Sequence, residues 1–190
     1  MAGRKVLILM ASPRKEGNTA ALAARLAEGV AEAGGQAETV FLQDLAIAPC
    51  NGCNACHAEA GAGCVIEDDM QEVYAKMREA GALVLASPIY FFSVTAQLKA
   101  AIDRCYALVE GGPKVPALDG KPVGLLFTYG GEDAVDSGCV NAIRMFQDIF
   151  RFMDVAIAGT VHGSTAEGPI EKDKKTMDAA AALGRRLAGP

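Results

Sequence analysis

One pattern constrains this chain more than any other: a short unbroken apolar run, a turn carrying proline or small residues, and then a stretch with helical spacing, repeated along its length. Residues 5–11 read KVLILMA and end at Ser12-Pro13. An apolar run without alternation suits a strand buried on both faces, so this segment is expected at the centre of a sheet. Residues 18–33 follow with Leu22, Leu26 and Val30 four apart; Asn18 and Thr19 can cap the start of such a helix and Gly34-Gly35 can stop it. The cycle then repeats. Strands are predicted at 39–42, 82–86, 123–128 and 155–160, and helices at 68–80, 94–109, 140–152 and 172–187. Residues 43–67 form a long cysteine-bearing loop, and Ser87-Pro88 and Gly130-Gly131 end two of the strands.

Five strands alternating with helices predict an α/β fold: a parallel sheet covered on both faces, because each right-handed crossover returns over the sheet. No repeat, low-complexity stretch or linker divides residues 1–190, and a chain of this length can build one full core, so a single domain is expected. Ligands of such sheets bind beyond the carboxyl ends of the strands. The loops at 12–19, 87–93 and 128–133 are therefore the candidate site.

Charge and cysteine usage narrow the partners. A net charge of −5 gives no electrostatic footprint for nucleic acid or an anionic membrane, which leaves small molecules and proteins. The opening apolar run, about eight residues, is too short for a signal-peptide core or a spanning helix, so a cytoplasmic location is expected. In that setting six cysteines point to metal or redox chemistry rather than structural disulfides.

The loop Ser12-Pro13-Arg14-Lys15-Glu16-Gly17-Asn18-Thr19 joins the first strand to the first helix. A phosphate there would meet helix-terminal N–H groups, the hydroxyls of Ser12 and Thr19, the Asn18 amide and the Arg14 guanidinium. The loop lacks the GK[ST] ending of a Walker loop and the GxGxxG turn that admits a bridging pyrophosphate, so its shape favours a mononucleotide. A capped helix start with an exposed basic turn is the plainer alternative.

SPRxxGNT, together with SPIYFFSVTAQLKAAIDR at 87–104, resembles the NADPH-dependent FMN reductase and flavodoxin-like family across most of residues 4–131. The resemblance implies a flavodoxin-like three-layer sandwich with strand order 2-1-3-4-5. It also implies that the first segment binds the FMN phosphate and the second flanks the isoalloxazine ring. Ser87, Pro88, Ile89, Tyr90 and Phe91 then offer aromatic faces and backbone amides to the ring, with Tyr90 and Ile89 assigned to it, Phe92 undecided and at least one of the three aromatics expected in the core. By the same resemblance Tyr129, Gly130 and Gly131 form a third flavin-side loop, NAD(P)H is an electron donor, and the protein is a homodimer or homotetramer. Lys99, Asp103 and Arg104 share a helical spacing that a solvated, mutually paired face explains as well as any cofactor role.

Cys50, Cys53, Cys56 and Cys64 read CxxCxxCx7C. Three closely spaced thiolates can each reach a different iron of a cubane and a fourth can close it. A redox-active or free thiol set and a zinc site are the alternatives, although zinc usually separates its pairs more widely. The motif resembles that of iron-sulfur flavoproteins, which implies a 4Fe-4S cluster near FMN. Cys105 and Cys139 are expected as buried small hydrophobes, His57 as a solvated loop residue, and Glu67, Asp68 and Asp69 as a helix start. No arrangement of acid, base or nucleophile stands out for catalysis, so the chemistry is expected from cofactors. Two classes of function remain open. One is an oxidoreductase moving electrons from NAD(P)H or a reduced redox protein to an acceptor; the other is a non-enzymatic carrier between redox proteins. A metal-bound interaction module without flavin is a third possibility.

Overall fold

A computed structural model of the chain describes residues 3–59, 62–109 and 115–189. Five parallel strands, β1 (Lys5–Met10), β2 (Gln36–Phe41), β3 (Ala82–Tyr90), β5 (Val123–Tyr129) and β6 (Ile157–Ser164), lie in the order β2-β1-β3-β5-β6. Counted without the short β4 described below, this is the expected order 2-1-3-4-5 of a flavodoxin-like sheet. The helices are α1 (Asn18–Glu32), α2 (Met70–Glu79), α3 (Ala96–Arg104), α4 (Cys139–Phe152) and α5 (Lys174–Ala188). Among the described residues no helix is long and apolar enough to cross a membrane.

The unbroken apolar runs bury both faces of the sheet. Along β1, Leu7 and Leu9 point into one core with α2, α3 and α4, while Val6, Ile8 and Met10 point into a second with α1 and α5. Each fully buried aliphatic side chain contributes about 1.5–3 kcal/mol, so three central strands buried over most of their length anchor the domain's layers. The second core is lined by small residues: Ala82, Val84 and Ala86 of β3, and Gly124 of β5, over which Leu187 packs. Helices α1 and α5 meet closely above them. A Cβ at Gly29 would be driven into the Ala181 carbonyl, and one at Gly184 into the Leu26 carbonyl.

The structure departs from the expected elements in three places. Strand β3 does not end at Ser87-Pro88 but continues to Tyr90, because the chain folds straight back as β4 (Ser93–Val94), antiparallel to it through Ile89–Val94 and Tyr90–Ser93. The sheet therefore has six strands, not five. The helix predicted over 94–109 begins at Ala96 and gives way after Arg104 to a 3-10 turn over Cys105–Leu108. The edge strands β2 and β6 are longer than predicted, since their exposed faces carry polar residues and glycines that an apolar criterion passes over.

Replacing Gly184 by Ala should lower the free energy of unfolding by about 1–3 kcal/mol, because the added methyl separates α1 from α5 and outweighs alanine's better helix propensity. A urea melt measures this; greater stability in the variant would show that the helices have room to give.

Candidate functional site

The three loops expected at the site lie together beyond the carboxyl ends of β1, β3 and β5. Gly17 is the N-cap of α1 and makes no side-chain cap bond, so the first-turn amides are left for a ligand. The expected caps are engaged elsewhere. Asn18 Oδ1 accepts from the Ile170 N–H (2.9 Å), and Thr19 Oγ1 lies 2.6 Å from Thr128 Oγ1 in a buried hydroxyl pair. Ser12 is buried and clasps its own turn: its Oγ accepts from Arg14 N–H (3.1 Å) and donates to Arg14 O (3.2 Å). A Cβ at Gly17 would stand 3.0 Å from Arg14 Cβ, so glycine keeps this turn tight. Lys15 is drawn off to Asp44 (2.6 Å) and the face of Phe41, which leaves Arg14 as the exposed cation of the loop.

The second loop is a hairpin whose two turn residues, Phe91 and Phe92, have φ of 46° and 67°. Two positive φ values in a two-residue turn are the signature of a type I′ hairpin, normally built from Asn-Gly, and a bulky residue there stores backbone strain. None of the aromatics belongs to the core: Tyr90 is 43 %, Phe91 96 % and Phe92 56 % exposed. Beneath them Ser87 and Pro88 are buried. The Ser87 hydroxyl donates to Pro88 O (2.7 Å) and accepts from Thr95 N–H (3.2 Å), while Thr95 Oγ1 donates to Ala11 O (2.9 Å). Thr95 thus ties the hairpin to the residue that follows β1, Ser87 ties Thr95 to β3, and half-buried Ile89 with exposed Tyr90 and Phe91 forms the surface. Across the turn Gly138 at the start of α4 leaves room for Phe92, and Asn141 Nδ2 donates to Phe92 O (3.3 Å).

At the end of β5, Gly130 is exposed with open space where a Cβ would stand, whereas Gly131 is crowded by Ser137. Tyr129 is buried, its hydroxyl 3.1 Å from His162 Nδ1, and burial raises its pKa. A fourth wall, the β6–α5 loop, escaped the sequence reading. Ser164 Oγ donates to Gly131 O, and Thr165 donates to Tyr129 O through both N–H (2.8 Å) and Oγ1 (3.1 Å). The polar run after β6 was its only signal.

The cysteine loop folds onto the far end of α3. Cys50, Cys53, Cys56 and Cys64 line one pocket of about 40 Å³ together with Asp103, Arg104 and Tyr106. None is in a disulfide, and among the described residues no three Cys, His, Asp or Glu side chains close around a single metal ion. Residues 60 and 61 of this loop lie outside the described residues. His57 is exposed, as expected, and its ring also lies tilted against Tyr106, with centroids 4.3 Å apart and Nε2 3.0 Å from Tyr106 O. Away from the pocket, burial pushes the Cys105 thiol up to about 12 and the Cys139 thiol up to about 11, which suits inert packing groups.

Arg104 does not share an exposed face with Lys99 and Asp103. Those two pair at 2.7 Å, but the Arg104 side chain is 1 % exposed. Its guanidinium donates to Asp68 through both terminal nitrogens (2.6 and 3.0 Å), to Ala48 O (2.9 Å) and to Ile66 O (3.2 Å). Asp68 in turn accepts from Ala48 N–H (2.9 Å) and Met70 N–H (3.1 Å). Burial alone would raise the Asp68 pKa, but Arg104 and the two amides lower it. Ala48 precedes the first cysteine and Ile66 follows the last, so one buried ion pair ties both ends of the cassette together. Breaking such a pair from one side typically costs about 3–5 kcal/mol.

A family model described as NADPH-dependent FMN reductase matches residues 4–167. An iron-sulfur flavoprotein of Methanocaldococcus jannaschii is 33 % identical over 97 % of this chain and 95 % of its own length. One from Methanosarcina thermophila is 32 % identical over 96 % of this chain and 93 % of its own. Among solved structures, an NAD(P)H:quinone oxidoreductase from Methanothermobacter marburgensis superposes with a TM-score of 0.75 at 22 % identity, covering 100 % of this chain and 98 % of that one, which shows the shared fold.

Phe91→Asn should raise the free energy of unfolding by about 0.5–1 kcal/mol, because asparagine tolerates the left-handed backbone and an exposed ring loses little packing. Thermal or urea unfolding tests this; a destabilised variant would mean that Phe91 is held by contacts within the fold.

Proposed function

The chain belongs to the NADPH-dependent FMN reductase family, and from that premise we propose that it is an FMN-dependent oxidoreductase carrying electrons from NAD(P)H or a reduced redox protein to an acceptor, with a 4Fe-4S cluster on Cys50, Cys53, Cys56 and Cys64. The observation that carries the reading is the start of α1 at the end of a central strand, without a side-chain cap. A helix N-terminus placed so, with Ser12 and Thr19 beside it and Arg14 exposed above it, suits the terminal phosphate of a mononucleotide. In the same reading Gly17, whose own N–H donates to Arg14 O (3.2 Å), shapes the turn so that the amides of Asn18 and Thr19 face the phosphate, Ile89, Tyr90 and Phe91 border the ring on one side, and Tyr129, Gly130 and Gly131 border it on the other.

Bound FMN supplies the hydride and electron exchange that no side chain of this protein can. The protein's own residues grip, orient and shield. Ser87 and Thr95 fix the hairpin to β1, Asn141 and Gly138 brace its tip, and Ser164 and Thr165 brace the third loop. No dedicated nicotinamide motif is present in the sequence, so the donor is expected to stack on the ring from the solvent side, where the exposed hairpin aromatics supply apolar surface.

The cysteine pocket fits a cluster better than a single ion. A cubane would take each thiolate at a separate iron, and the four thiols lining one pocket support that reading without closing on a single ion. Such a cluster would supply single-electron transfer to a protein or small-molecule acceptor. Exposed Phe91, Phe92, Tyr106 and Phe152 support assembly as a homodimer or homotetramer. We place the protein in the cytoplasm as one domain.

An anaerobic visible spectrum, with FMN, iron and acid-labile sulfide determined on the same sample and followed by turnover with NADH and NADPH, tests the whole reading. A colourless protein that refuses added FMN would overturn it. Arg14→Ala should weaken FMN binding about tenfold or more, since a bond to a charged group contributes about 1.5–3 kcal/mol and 1.4 kcal/mol is a factor of ten. Fluorescence titration of the apoprotein measures it, and unchanged affinity would remove this loop as the phosphate grip. Cys53→Ser should lose iron and keep FMN, because the two sites are built at opposite ends of α3; loss of both would mean that the cassette also shapes the flavin pocket.

A further inference from the structure

Within the cysteine pocket one buried polar atom has no partner. Arg104 lines the pocket beside all four thiols, its side chain is almost completely buried, and its Nε is the sole side-chain nitrogen or oxygen among the described residues that is buried without a hydrogen bond. Its other two nitrogens are taken by Asp68, Ala48 O and Ile66 O, which fix the guanidinium and leave the Nε edge free. A buried N–H left without an acceptor is costly, so the arrangement makes sense when an acceptor sits in the pocket. The other charged side chain of the pocket, Asp103, is paired with Lys99 and does not compete.

Resting on the 4Fe-4S reading above, we infer that Arg104 is a positioning residue for the cluster: it seats the two arms of the cassette and offers its Nε–H and its positive charge to the cluster on the Cys64 side. The guanidinium is buried, and its two-point bond to Asp68 keeps it cationic there. Hydrogen bonds to cluster sulfur and nearby positive charge stabilise the reduced, more negative state, so they raise the reduction potential. Asp68 offsets part of this field, but it contacts the terminal nitrogens and not the Nε edge. The arm that carries the last cysteine is held at its far side: Arg104 donates to Ile66 O, and Gln71 Nε2 donates to both Cys64 O (3.0 Å) and Ile66 O (2.8 Å).

The test uses the full chain, reconstituted anaerobically with FMN, iron and sulfide, and compares wild type with Arg104→Gln and Arg104→Lys. The readouts are iron and FMN per chain and the midpoint potentials of cluster and flavin from a redox titration followed by EPR and visible absorption. The cluster potential should shift negative in the glutamine variant and by less in the lysine variant, which keeps the charge, while the flavin potential stays in place. An unchanged cluster potential in Arg104→Gln would overturn the inference. Should that variant fail to hold iron, Arg104→Lys decides: a lowered cluster potential supports the inference and an unchanged one overturns it. Loss of iron from both variants with FMN retained would make Arg104 a clamp alone and would also overturn it. A wild-type protein that binds FMN but assembles no cluster would fail at the earlier step, removing the 4Fe-4S reading and this inference with it.

Discussion

Burial of the sheet on both faces decides where chemistry can occur in this protein. Through their middle, strands β1, β3 and β5 are closed off by two cores, so only side chains at their carboxyl ends, such as Ile89 and Tyr90, can meet a ligand. Parallel strands bring all their carboxyl ends to one edge, and there the backbone leaves the ladder and must satisfy its polar groups by other means. The hydroxyls of Ser12, Ser87, Thr95 and Ser164 perform that task, while those of Thr19 and Thr128 pair with each other. The crevice is consequently rigid where it is polar, and it presents glycine and exposed aromatics where a ligand must approach.

Helix α3 connects this crevice to the second candidate site. Its N-cap Thr95 accepts from Leu98 N–H and belongs to the hairpin that borders the crevice; its last residue, Arg104, reaches the cysteine pocket. Nine residues at 1.5 Å each separate the two by about 13 Å along the helix. A short, well-capped helix between the two candidate sites keeps them at a fixed spacing. The buried Arg104–Asp68 pair extends that rigidity to a loop with little regular structure of its own. Outside the 3-10 turns the cassette depends for its shape on this pair, on Gln71, and on the contact of His57 with Tyr106.

The architecture was legible because unbroken apolar runs and helical spacings report burial directly, and the strand order followed from the family resemblance. The composition of the crevice was legible in the same way: loops that follow central strands must lie at its edge. What each side chain does there was less so. Asn18 and Thr19 read as local caps, yet their partners are Ile170 and Thr128, more than a hundred residues away in sequence. Arg104 read as one charge of a solvated stripe with Lys99 and Asp103, since i, i+4 spacing cannot tell which side of a helix another loop will cover. Asp68 read as part of an acidic helix start, and its Met70 N–H bond bears that out, but its stronger role as a buried counter-ion depends on a contact with no local signature. The hairpin was missed for a different reason: Phe-Phe is among the least favourable choices for a turn that needs positive φ, so propensity pointed away from it.

That last mismatch separates stability from use. Evolution can place Asn-Gly in a two-residue hairpin at no cost to folding, and the chain instead holds two phenylalanines in left-handed backbone with one ring almost fully in solvent. Neither residue contributes a core contact that would offset the strain, and the hairpin is bound on three sides, by Ser87, by Thr95 and by the start of α4. Strain that the surrounding structure maintains, at residues exposed beside a crevice of hydroxyls and helix amides, is the pattern expected where side chains are kept for a ligand or a partner rather than for the fold. In this molecule the aromatic tip stands beside the candidate crevice, and the braces beneath it are what allow an unfavourable turn to persist.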